Sequence, residues 1–134
     1  MKRREFIKNA GILSLASYMP KSNASIQDIV ALSLDGDEII LDSVDILDFM
    51  SSFQGSVITK EHYDYDSARL VWNGVWDKQP ALIVFCESVV DIQQAINFAR
   101  EQNLLTAVRG GGHSISGKST CDGGIIIDLS RMRK

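Results

Sequence analysis

The stretch "LLTAVRGGGHSISGKSTCDGGIIIDLS", residues 104–130, places a glycine-rich loop between two apolar runs. Short apolar runs bounded by turn-forming residues are typical of buried strands, so 104–108 and 124–129 are both predicted strands. The glycines 110–112 lack Cβ atoms and can adopt positive φ, which turns several backbone N–H groups inward. Such a nest suits an anion such as a pyrophosphate. The stretch therefore predicts an anion-binding loop with His113 beside the bound group, although a tight glycine turn with a solvated histidine would have the same sequence.

The same stretch also matches a second kind of phosphate loop, the G-x-x-x-x-G-K-[ST] motif of P-loop nucleotide-binding proteins. Gly112, Gly117, Lys118 and Ser119 occupy its fixed positions. In that motif the last residues open a helix whose N-terminus holds the phosphates. Here a turn-forming aspartate, two glycines and three isoleucines follow, and each glycine costs a helix about 1 kcal/mol relative to alanine. The dinucleotide-binding fingerprint fails as well, because its third glycine would fall on Ile115. A P-loop protein is kept as an alternative that lacks the required helix.

The sequence before this loop predicts a strand and a helix. The run ALIVFC (81–86) has the length and composition of a buried strand, and Cys86 at its end fits a small core residue. Ser88, with Asp91 three residues later, forms an aspartate version of the capping box, which places a helix over 88–102. The chain order is then strand, helix, strand, glycine loop, strand, and the predicted fold class is α+β. The apolar positions that define the helix are Val89, Ile92, Ile96 and Ala99.

Shorter elements are predicted before the first of these strands. The segment 42–53 indicates a short amphipathic helix, and 55–59 indicates a brief strand. The segment 60–80 is mixed, aromatic and broken by glycine and proline, so it is predicted to be irregular with a helical turn around 67–71. The first helix would be capped by Asp42 or Ser43 and would place Ile46, Met50 and Phe53 on one face.

Length and composition describe one small domain. The 134 residues are 45% hydrophobic and 23% charged, which is ordinary for a globular chain and unlike a disordered one. The formal net charge of −3 offers no basic surface, so nucleic acid is not an expected partner. The two cysteines, Cys86 and Cys121, are too few for a disulfide framework or a metal cluster, and no metal site is predicted. His62 lies in a polar stretch and is expected to be a solvated side chain.

The first 24 residues have the three zones of an export signal. Basic residues open it, a modest apolar stretch from Ala10 to Met19 follows, and Ser22-Asn23-Ala24 offers small residues to signal peptidase. The apolar stretch is far shorter than the ~20 residues of a bilayer span, so no stable membrane span is predicted. Residues 3–8, RREFIK, resemble the twin-arginine consensus of bacterial Tat signals, whose machinery exports folded proteins. The chain is therefore expected to be exported to the periplasm or the medium with the Tat machinery as a partner.

Cleavage after residue 24 would leave a small, acidic chain. It would remove five basic residues and one acidic residue from a chain of charge −3, so residues 25–134 would carry a formal charge of −7. The Tat route often carries proteins that received a cofactor in the cytoplasm. The signal is therefore a first indication of a bound cofactor.

The glycine loop and the strand after it resemble one family closely. From Arg109 to Ser130 the chain follows the pattern R-G-G-G-H-[SN]-x-x-G, a few loop residues, then D-G-G-[IVL]-x-[IVL]-D-L-S. This pattern is similar to the first FAD-binding stretch of the berberine-bridge-enzyme-like flavin oxidases, within the p-cresol methylhydroxylase/vanillyl-alcohol oxidase superfamily. The resemblance covers about residues 53–134. It includes the segments YDSARLVWN (65–73), PALIVFCES (80–88) and DIQQAINFAREQNL (91–104).

The resemblance implies a lead-in segment, 25–76, followed by the first half of a p-cresol methylhydroxylase-type FAD-binding domain, 77–134. Backbone N–H groups of the loop would cradle the FAD pyrophosphate, and His113 stands where the family joins a ring nitrogen to the flavin 8α-methyl. The implied reaction is hydride abstraction from an alcohol, sugar or amine carbon of a small-molecule substrate, with O₂ as the acceptor. The implied cofactor-binding residues are Arg109, Gly110, Gly111, Gly112, His113, Ser114, Gly117, Asp122, Gly123 and Gly124.

The chain also departs from the family pattern. Family members are several times longer, so the chain resembles the amino-terminal fragment of such an oxidase, and the domain is expected to be incomplete. The substrate-binding domain with its catalytic base has no counterpart, so no catalytic residue is named. Cys121 does not match the cysteine that makes a second flavin bond in some members. We expect this chain alone to bind FAD weakly and to show no oxidase activity, and an inactive exported fragment is the alternative.

Overall fold

The computed structural model describes residues 25–132, so the predicted export signal of residues 1–24 lies outside the described part of the chain. Six strands, three α-helices and one 3-10 segment occur in the described part. None of its helices is long and apolar enough to cross a membrane. The elements are β1 (Ile29–Leu32), β2 (Glu38–Leu41), α1 (Ser43–Ser52), β3 (Ser56–Thr59), α2 (Tyr65–Arg69), β4 (Leu82–Phe85), α3 (Val89–Glu101), β5 (Thr106–Arg109), β6 (Ile125–Asp128) and the 3-10 segment (Ser130–Met132).

Four of the strands form one mixed sheet in the order β3–β4–β6–β5, which confirms the four strands predicted in this region. β3 runs antiparallel to β4, whereas β4, β6 and β5 run parallel to one another. The parallel strands are in register, so Phe85, Asp128 and Arg109 lie side by side where these strands end. The carboxyl ends of parallel strands are the usual place for a ligand in such sheets. The glycine loop begins at this edge.

Both faces of the sheet are covered, and β6 is buried along its whole length. Successive residues of a strand point to opposite faces. Leu82 and Ile125 lie on the face that packs against α1 and α3 in the larger apolar cluster. Ile83 and Ile126 lie on the other face, where Tyr65 of α2 packs against them. The alternation therefore divides the core into two layers, one on each side of the sheet.

The predicted helix starts are confirmed, with one difference. Asp42 caps α1 by accepting from the N–H two residues later at 2.8 Å. The Ser88 hydroxyl caps α3 by accepting from the Asp91 N–H at 3.2 Å. In a capping box the Asp91 carboxylate would accept from the N–H of Ser88. It accepts instead from the N–H groups of Glu87, at 2.9 Å, and Gln54, at 3.0 Å, so it joins the start of α3 to the segment before β3.

The predicted apolar face of α3 is wrong at two of its four positions. Val89 is 63% exposed and Ile96 is 43% exposed. The buried face is shifted by one residue and includes Ala95 and Phe98, whose ring stacks on Phe49 of α1 with centroids 4.5 Å apart. Alanine at the contact lets the helix approach the sheet closely. The spacing of apolar residues alone does not indicate how close this approach is. The helix itself, Val89–Glu101, is confirmed.

The earlier helices also differ in detail from the prediction. α1 buries Ile46 as expected, but Phe49 is the second buried residue and Met50 is only partly buried. α2 begins at Tyr65, two residues before the predicted helical turn. The Tyr65 ring is buried and its hydroxyl donates to the Pro80 carbonyl at 2.6 Å. A buried aromatic ring with a satisfied hydroxyl therefore fixes the position of this short helix.

The hairpin of β1 and β2 has no counterpart among the predicted elements. The strands pair antiparallel from Ile29 with Leu41 to Leu32 with Glu38. The turn between them contains Gly36 at φ +87°, a left-handed conformation that favours glycine. An Asp-Gly pair between two apolar runs is the signal that would have predicted this hairpin. Leu32 donates its N–H to the Gly123 carbonyl at 2.7 Å, so the hairpin packs against the turn before β6.

Candidate functional site

A cavity of about 400 Å³ opens where the parallel strands end. Its wall is made by the strand ends, by α2 with the segment after it, and by the glycine loop. A second cavity, of about 210 Å³, lies between α1 and α3 and contains none of the predicted site residues. The residues that line the first cavity are Ser67, Ala68, Leu70, Val71, Trp72, Phe85, Arg109, Gly110, Gly111, Gly112, His113, Asp128 and Ser130.

A buried ion pair forms the floor of the loop. The Arg109 Nε donates to the Asp128 carboxylate at 2.5 Å, and the two side chains are 6% and 3% exposed. The second carboxylate oxygen of Asp128 accepts from the Ser130 N–H at 2.8 Å. A buried charge is tolerated only when it is paired and hydrogen-bonded, which is the case for both groups. The pair therefore joins the last residues of β5 and β6.

The same guanidinium also holds the segment after α2. The two terminal nitrogens of Arg109 donate to the carbonyls of Ala68, at 2.7 Å, and Leu70, at 3.4 Å. Farther along, the Trp72 N–H donates to the Gly112 carbonyl at 3.1 Å. Each nitrogen of the Arg109 side chain thus donates to protein, and this predicted cofactor-binding residue acts in the structure by positioning the loop.

The glycine triplet has unpaired backbone donors. Among residues 25–132, the N–H groups of Gly110, Gly111 and His113 donate to no protein oxygen. Of the three glycines that can adopt positive φ, only Gly112 does so, at +71°. Several neighbouring N–H groups without protein partners suit an anion.

Gly110 gives independent evidence that a ligand fits here. Its φ is not positive, so no left-handed conformation requires glycine at this position. A Cβ at this position would meet no atom of residues 25–132 within 4 Å, so packing in the described chain does not require glycine either. The residue lines the cavity, where an absent side chain lets another molecule approach the backbone. Close approach of a ligand to the backbone would account for a glycine at this position of the cavity wall.

His113 is exposed on the cavity wall. Its imidazole lies against the Trp72 indole, with ring centroids 5.5 Å apart and planes at 46°. Ser114, the next predicted residue, does not line the cavity. Its hydroxyl accepts from the Lys118 N–H at 3.3 Å and lies 3.3 Å from the Ser116 hydroxyl, which closes the turn after the histidine.

Gly117 is accounted for by packing. It adopts φ +69°, and a Cβ there would lie 2.4 Å from the Trp76 ring. The Trp76 indole N–H donates to the Ile115 carbonyl at 2.9 Å. The tryptophan therefore supports the loop from outside the cavity, and the described geometry gives Gly117 a structural role.

The structure does not bring the turn Asp122–Gly124 to the cavity. This turn precedes β6, whereas the cavity lies where β6 ends, so the two are at opposite ends of the same strand. The Asp122 carboxylate accepts from the Gln79 N–H at 2.8 Å. A Cβ on Gly124 would lie 2.1 Å from the Leu105 carbonyl oxygen, and one on Gly123 would lie 2.7 Å from Leu32. Close packing explains these glycines, and their contact with a cofactor stays a prediction.

The P-loop alternative is excluded by the same region. No residue between Arg109 and Ile125, all of which lie in the described part, is helical. A P-loop needs the N-terminus of a helix directly after its Lys-Ser pair to hold the phosphates. Ser119 is followed instead by an irregular segment and β6.

The buried thiols and Tyr65 do not provide a reactive group. Burial raises the pKa of the Cys86 and Cys121 thiols to about 11, and it raises the pKa of Tyr65 to about 12. All three are therefore neutral at physiological pH. Within the part of the chain that the structure describes, no group of three or more His, Cys, Asp or Glu side chains could hold a metal ion.

Two residues of the site, Asp128 and Trp72, are missing from the predicted set. Asp128 ends an apolar strand, and an aspartate in such a strand needs a buried partner. Arg109 directly follows the other predicted strand of the stretch, 104–108, so the pair could have been inferred from these two positions. Trp72 offered no comparable signal, because its contact with the loop depends on the path of an irregular segment.

Comparison with known proteins agrees on the region around the cavity. Residues 80–134 match a family model described as "FAD binding domain". An uncharacterised FAD-linked oxidoreductase of Bacillus subtilis is 38% identical over 80 residues, which are 60% of this chain and 18% of that protein. The (R)-6-hydroxynicotine oxidase of Paenarthrobacter nicotinovorans is 37% identical over 81 residues, with the same shares of 60% and 18%.

A solved structure has a similar fold over this part of the chain. The crystal structure of 6-hydroxy-D-nicotine oxidase from Arthrobacter nicotinovorans superposes with a TM-score of 0.60 and 36% identity, over 62% of this chain and 18% of that chain. Residues 80–134 are part of an FAD-binding domain. FAD is the cofactor of this domain. The fold of this part matches that of p-cresol methylhydroxylase-type oxidases, and the chain spans 18% of the length of the first curated relatives it matches.

Proposed function

We propose that this chain supplies the pyrophosphate-binding part of an exported FAD-dependent oxidase. The observation that carries the proposal is the set of unpaired N–H groups at Gly110–His113 on the wall of the cavity. Curated relatives that match this part are FAD-linked oxidoreductases, and one of them is an oxidase. The proposed reaction is the removal of a hydride from a C–H bond of a small alcohol, sugar or amine, with O₂ as the final acceptor.

FAD, when bound, supplies the redox chemistry by accepting the hydride. The chain's own residues bind and orient it. Gly110 and Gly111 offer backbone N–H groups to the phosphates, and the ion pair of Arg109 with Asp128 keeps these groups at the ends of the strands. The pair has no net charge, so the buried carboxylate does not repel the pyrophosphate.

His113 is the proposed site of covalent flavin attachment. Its ring is exposed on the cavity wall, which is the accessibility that such a bond requires. A covalent bond would prevent loss of the cofactor and would make the flavin a stronger oxidant by withdrawing electron density. Ser114 and Gly117 shape the loop that carries this histidine, and the turn Asp122–Gly124 fixes the other end of β6.

The proposed organisation has three parts. Residues 1–24 are a Tat signal, 25–76 are a lead-in segment, and 77–134 begin the FAD-binding domain. In support of the second part, the hairpin joins the domain through hydrogen bonds of Leu32 to Gly123 and from Leu105 to Leu32. Replacing Arg3 and Arg4 together by lysine should retain the protein in the cytoplasm. Cell fractionation tests this, and unchanged export would argue against the Tat route.

The proposed function is tested on the polypeptide isolated from its source cells. The native protein is precipitated with acid, the pellet and supernatant are examined for flavin, and the flavin-bearing peptide is mapped by mass spectrometry. Flavin in the pellet on the peptide that contains His113 is the expected result. Flavin released to the supernatant would mean that the protein binds FAD without a covalent bond. A colourless protein would contradict the proposal and favour an inactive exported fragment.

A further inference from the structure

Trp72 is an exposed aromatic residue without a role in the core. Trp72 is 81% exposed and belongs to neither of the two apolar clusters. It lines the cavity next to the glycine loop. The Trp72 ring contacts the His113 ring, with centroids 5.5 Å apart. Aromatic pairs are favourable at centroid distances of 4.5–7 Å, so this is an interacting pair.

The backbone on both sides of this contact is held in place. The Trp72 N–H donates to the Gly112 carbonyl, one residue before the histidine, at 3.1 Å. The Arg109 guanidinium fixes the Leu70 and Ala68 carbonyls just before the tryptophan. These hydrogen bonds hold the backbone next to Trp72 and next to His113 in place. The remaining freedom is side-chain rotation, which the contact between the rings restricts.

We propose that Trp72 is a positioning residue for His113. Its indole restricts the imidazole to the orientation in which a ring nitrogen can reach the flavin 8α-methyl group. The inference rests on the proposed function, because it concerns the same cofactor and the same histidine. It assigns the exposed tryptophan to attachment of the flavin rather than to stability of the fold.

The proposed attachment reaction requires a particular orientation of the His113 imidazole. Attachment would form a bond between an imidazole nitrogen of His113 and the 8α carbon, with loss of the proton of that nitrogen and of one hydrogen of the methyl group. The two protons and two electrons released overall would reduce dioxygen to hydrogen peroxide. Because the attacking nitrogen must point at one carbon, restricting the imidazole increases the fraction of productive orientations.

The chain contains a matched control for this pair. His62 and Tyr63 also form a ring pair, with centroids 4.5 Å apart and planes at 25°. Tyr63 is 89% exposed, so it resembles Trp72 in exposure, but neither ring of this second pair lines the cavity. Tyr63→Ala removes an exposed ring beside the other histidine and leaves the cavity intact.

The first test is made on the full chain without flavin. Proton NMR signals of the two imidazoles are assigned with a His62→Gln variant and compared among wild type, Trp72→Ala, Trp72→Phe and Tyr63→Ala. We expect Trp72→Ala to shift the His113 signals, because the ring current of the indole is lost. Trp72→Phe should keep part of the shift, and Tyr63→Ala should change only His62. His113 signals that are the same with and without the indole would overturn the inference.

The second test measures attachment. Each variant is produced with FAD, and the acid-stable fraction of the total bound flavin is followed with time. Loss of one aromatic pair should slow attachment per bound flavin in Trp72→Ala by about 2- to 10-fold, with Trp72→Phe close to wild type. An unchanged rate in Trp72→Ala, or an equal loss of bound flavin and attachment, would overturn the inference. A wild type that binds no flavin would contradict the proposed function. The NMR signals of the imidazoles would then still show whether the Trp72 and His113 rings are in contact.

Discussion

At the scale of single residues, the ion pair of Arg109 and Asp128 determines how the glycine loop leaves the sheet. The pair is buried at the ends of two strands, and the arginine also holds two carbonyls of the neighbouring segment. One side chain therefore connects three separate parts of the sequence. The motif R-G-G-G-H contains this arginine, but its partners lie before and after the motif.

Asp128→Asn should destabilise the protein strongly, because it leaves the Arg109 charge buried without an opposite charge. Removing one partner of a buried ion pair costs about 3–5 kcal/mol. The free energy of unfolding from urea denaturation measures the effect. Asp66→Asn is the control, because Asp66 pairs with Arg69 at the surface and such pairs contribute about 0–1 kcal/mol. Similar effects for the two variants would contradict the role of the buried pair.

Stability should fall at alkaline pH because of the buried thiols. Burial raises the pKa of Cys86 and Cys121 to about 11, above the ordinary thiol value of 9.0. Between these pH values the unfolded chain loses protons that the folded chain retains, so the free energy of unfolding decreases as the pH rises from about 9 to 11. A variant with alanine at both cysteines should show a smaller decrease. Urea denaturation at a series of pH values measures it, and equal slopes would contradict the assignment.

At the scale of secondary structure, the existence of the main elements was predictable and their contacts were less so. The strand runs and the helix 88–102 follow from composition and periodicity. The buried face of α3 depends on how closely the helix approaches the sheet, and the sequence favours the larger side chains Val89 and Ile96 over Ala95. The hairpin of β1 and β2 carried an Asp-Gly signal that the prediction did not use. Tertiary packing therefore decided the points on which the prediction was wrong.

Substitutions on α3 distinguish its two adjacent faces. Ala95 is fully buried, so Ala95→Leu should overpack the contact with the sheet and destabilise the protein by about 1–3 kcal/mol. Ile96→Ala removes a larger side chain from a more exposed position and should cost less, about 1 kcal/mol at most. Thermal or urea denaturation compares the two. A larger loss of stability for Ile96→Ala than for Ala95→Leu would mean that the face predicted from the apolar spacing is the buried one.

At the scale of the whole molecule, the cavity is a consequence of strand order. Parallel pairing of β4, β6 and β5 brings Phe85, Asp128 and Arg109 to one edge, although they are far apart in sequence. The sequence contained the glycine loop and the resemblance that identifies its cofactor. The sequence did not indicate that the predicted site residues lie in two separate places. Gly110–His113 line the cavity, whereas Gly117 and the turn Asp122–Gly124 support the fold elsewhere.

The central claim is that the backbone at Gly110 approaches FAD, and one pair of variants tests it directly. Gly110 and Gly74 both lack positive φ, and a Cβ at either would meet no described atom within 4 Å, but only Gly110 lines the cavity. The FAD affinity of the polypeptide from its source cells is measured for each alanine variant. Gly110→Ala should weaken binding by about 1–3 kcal/mol while Gly74→Ala binds like wild type. Equal affinities for the two variants would contradict the claim.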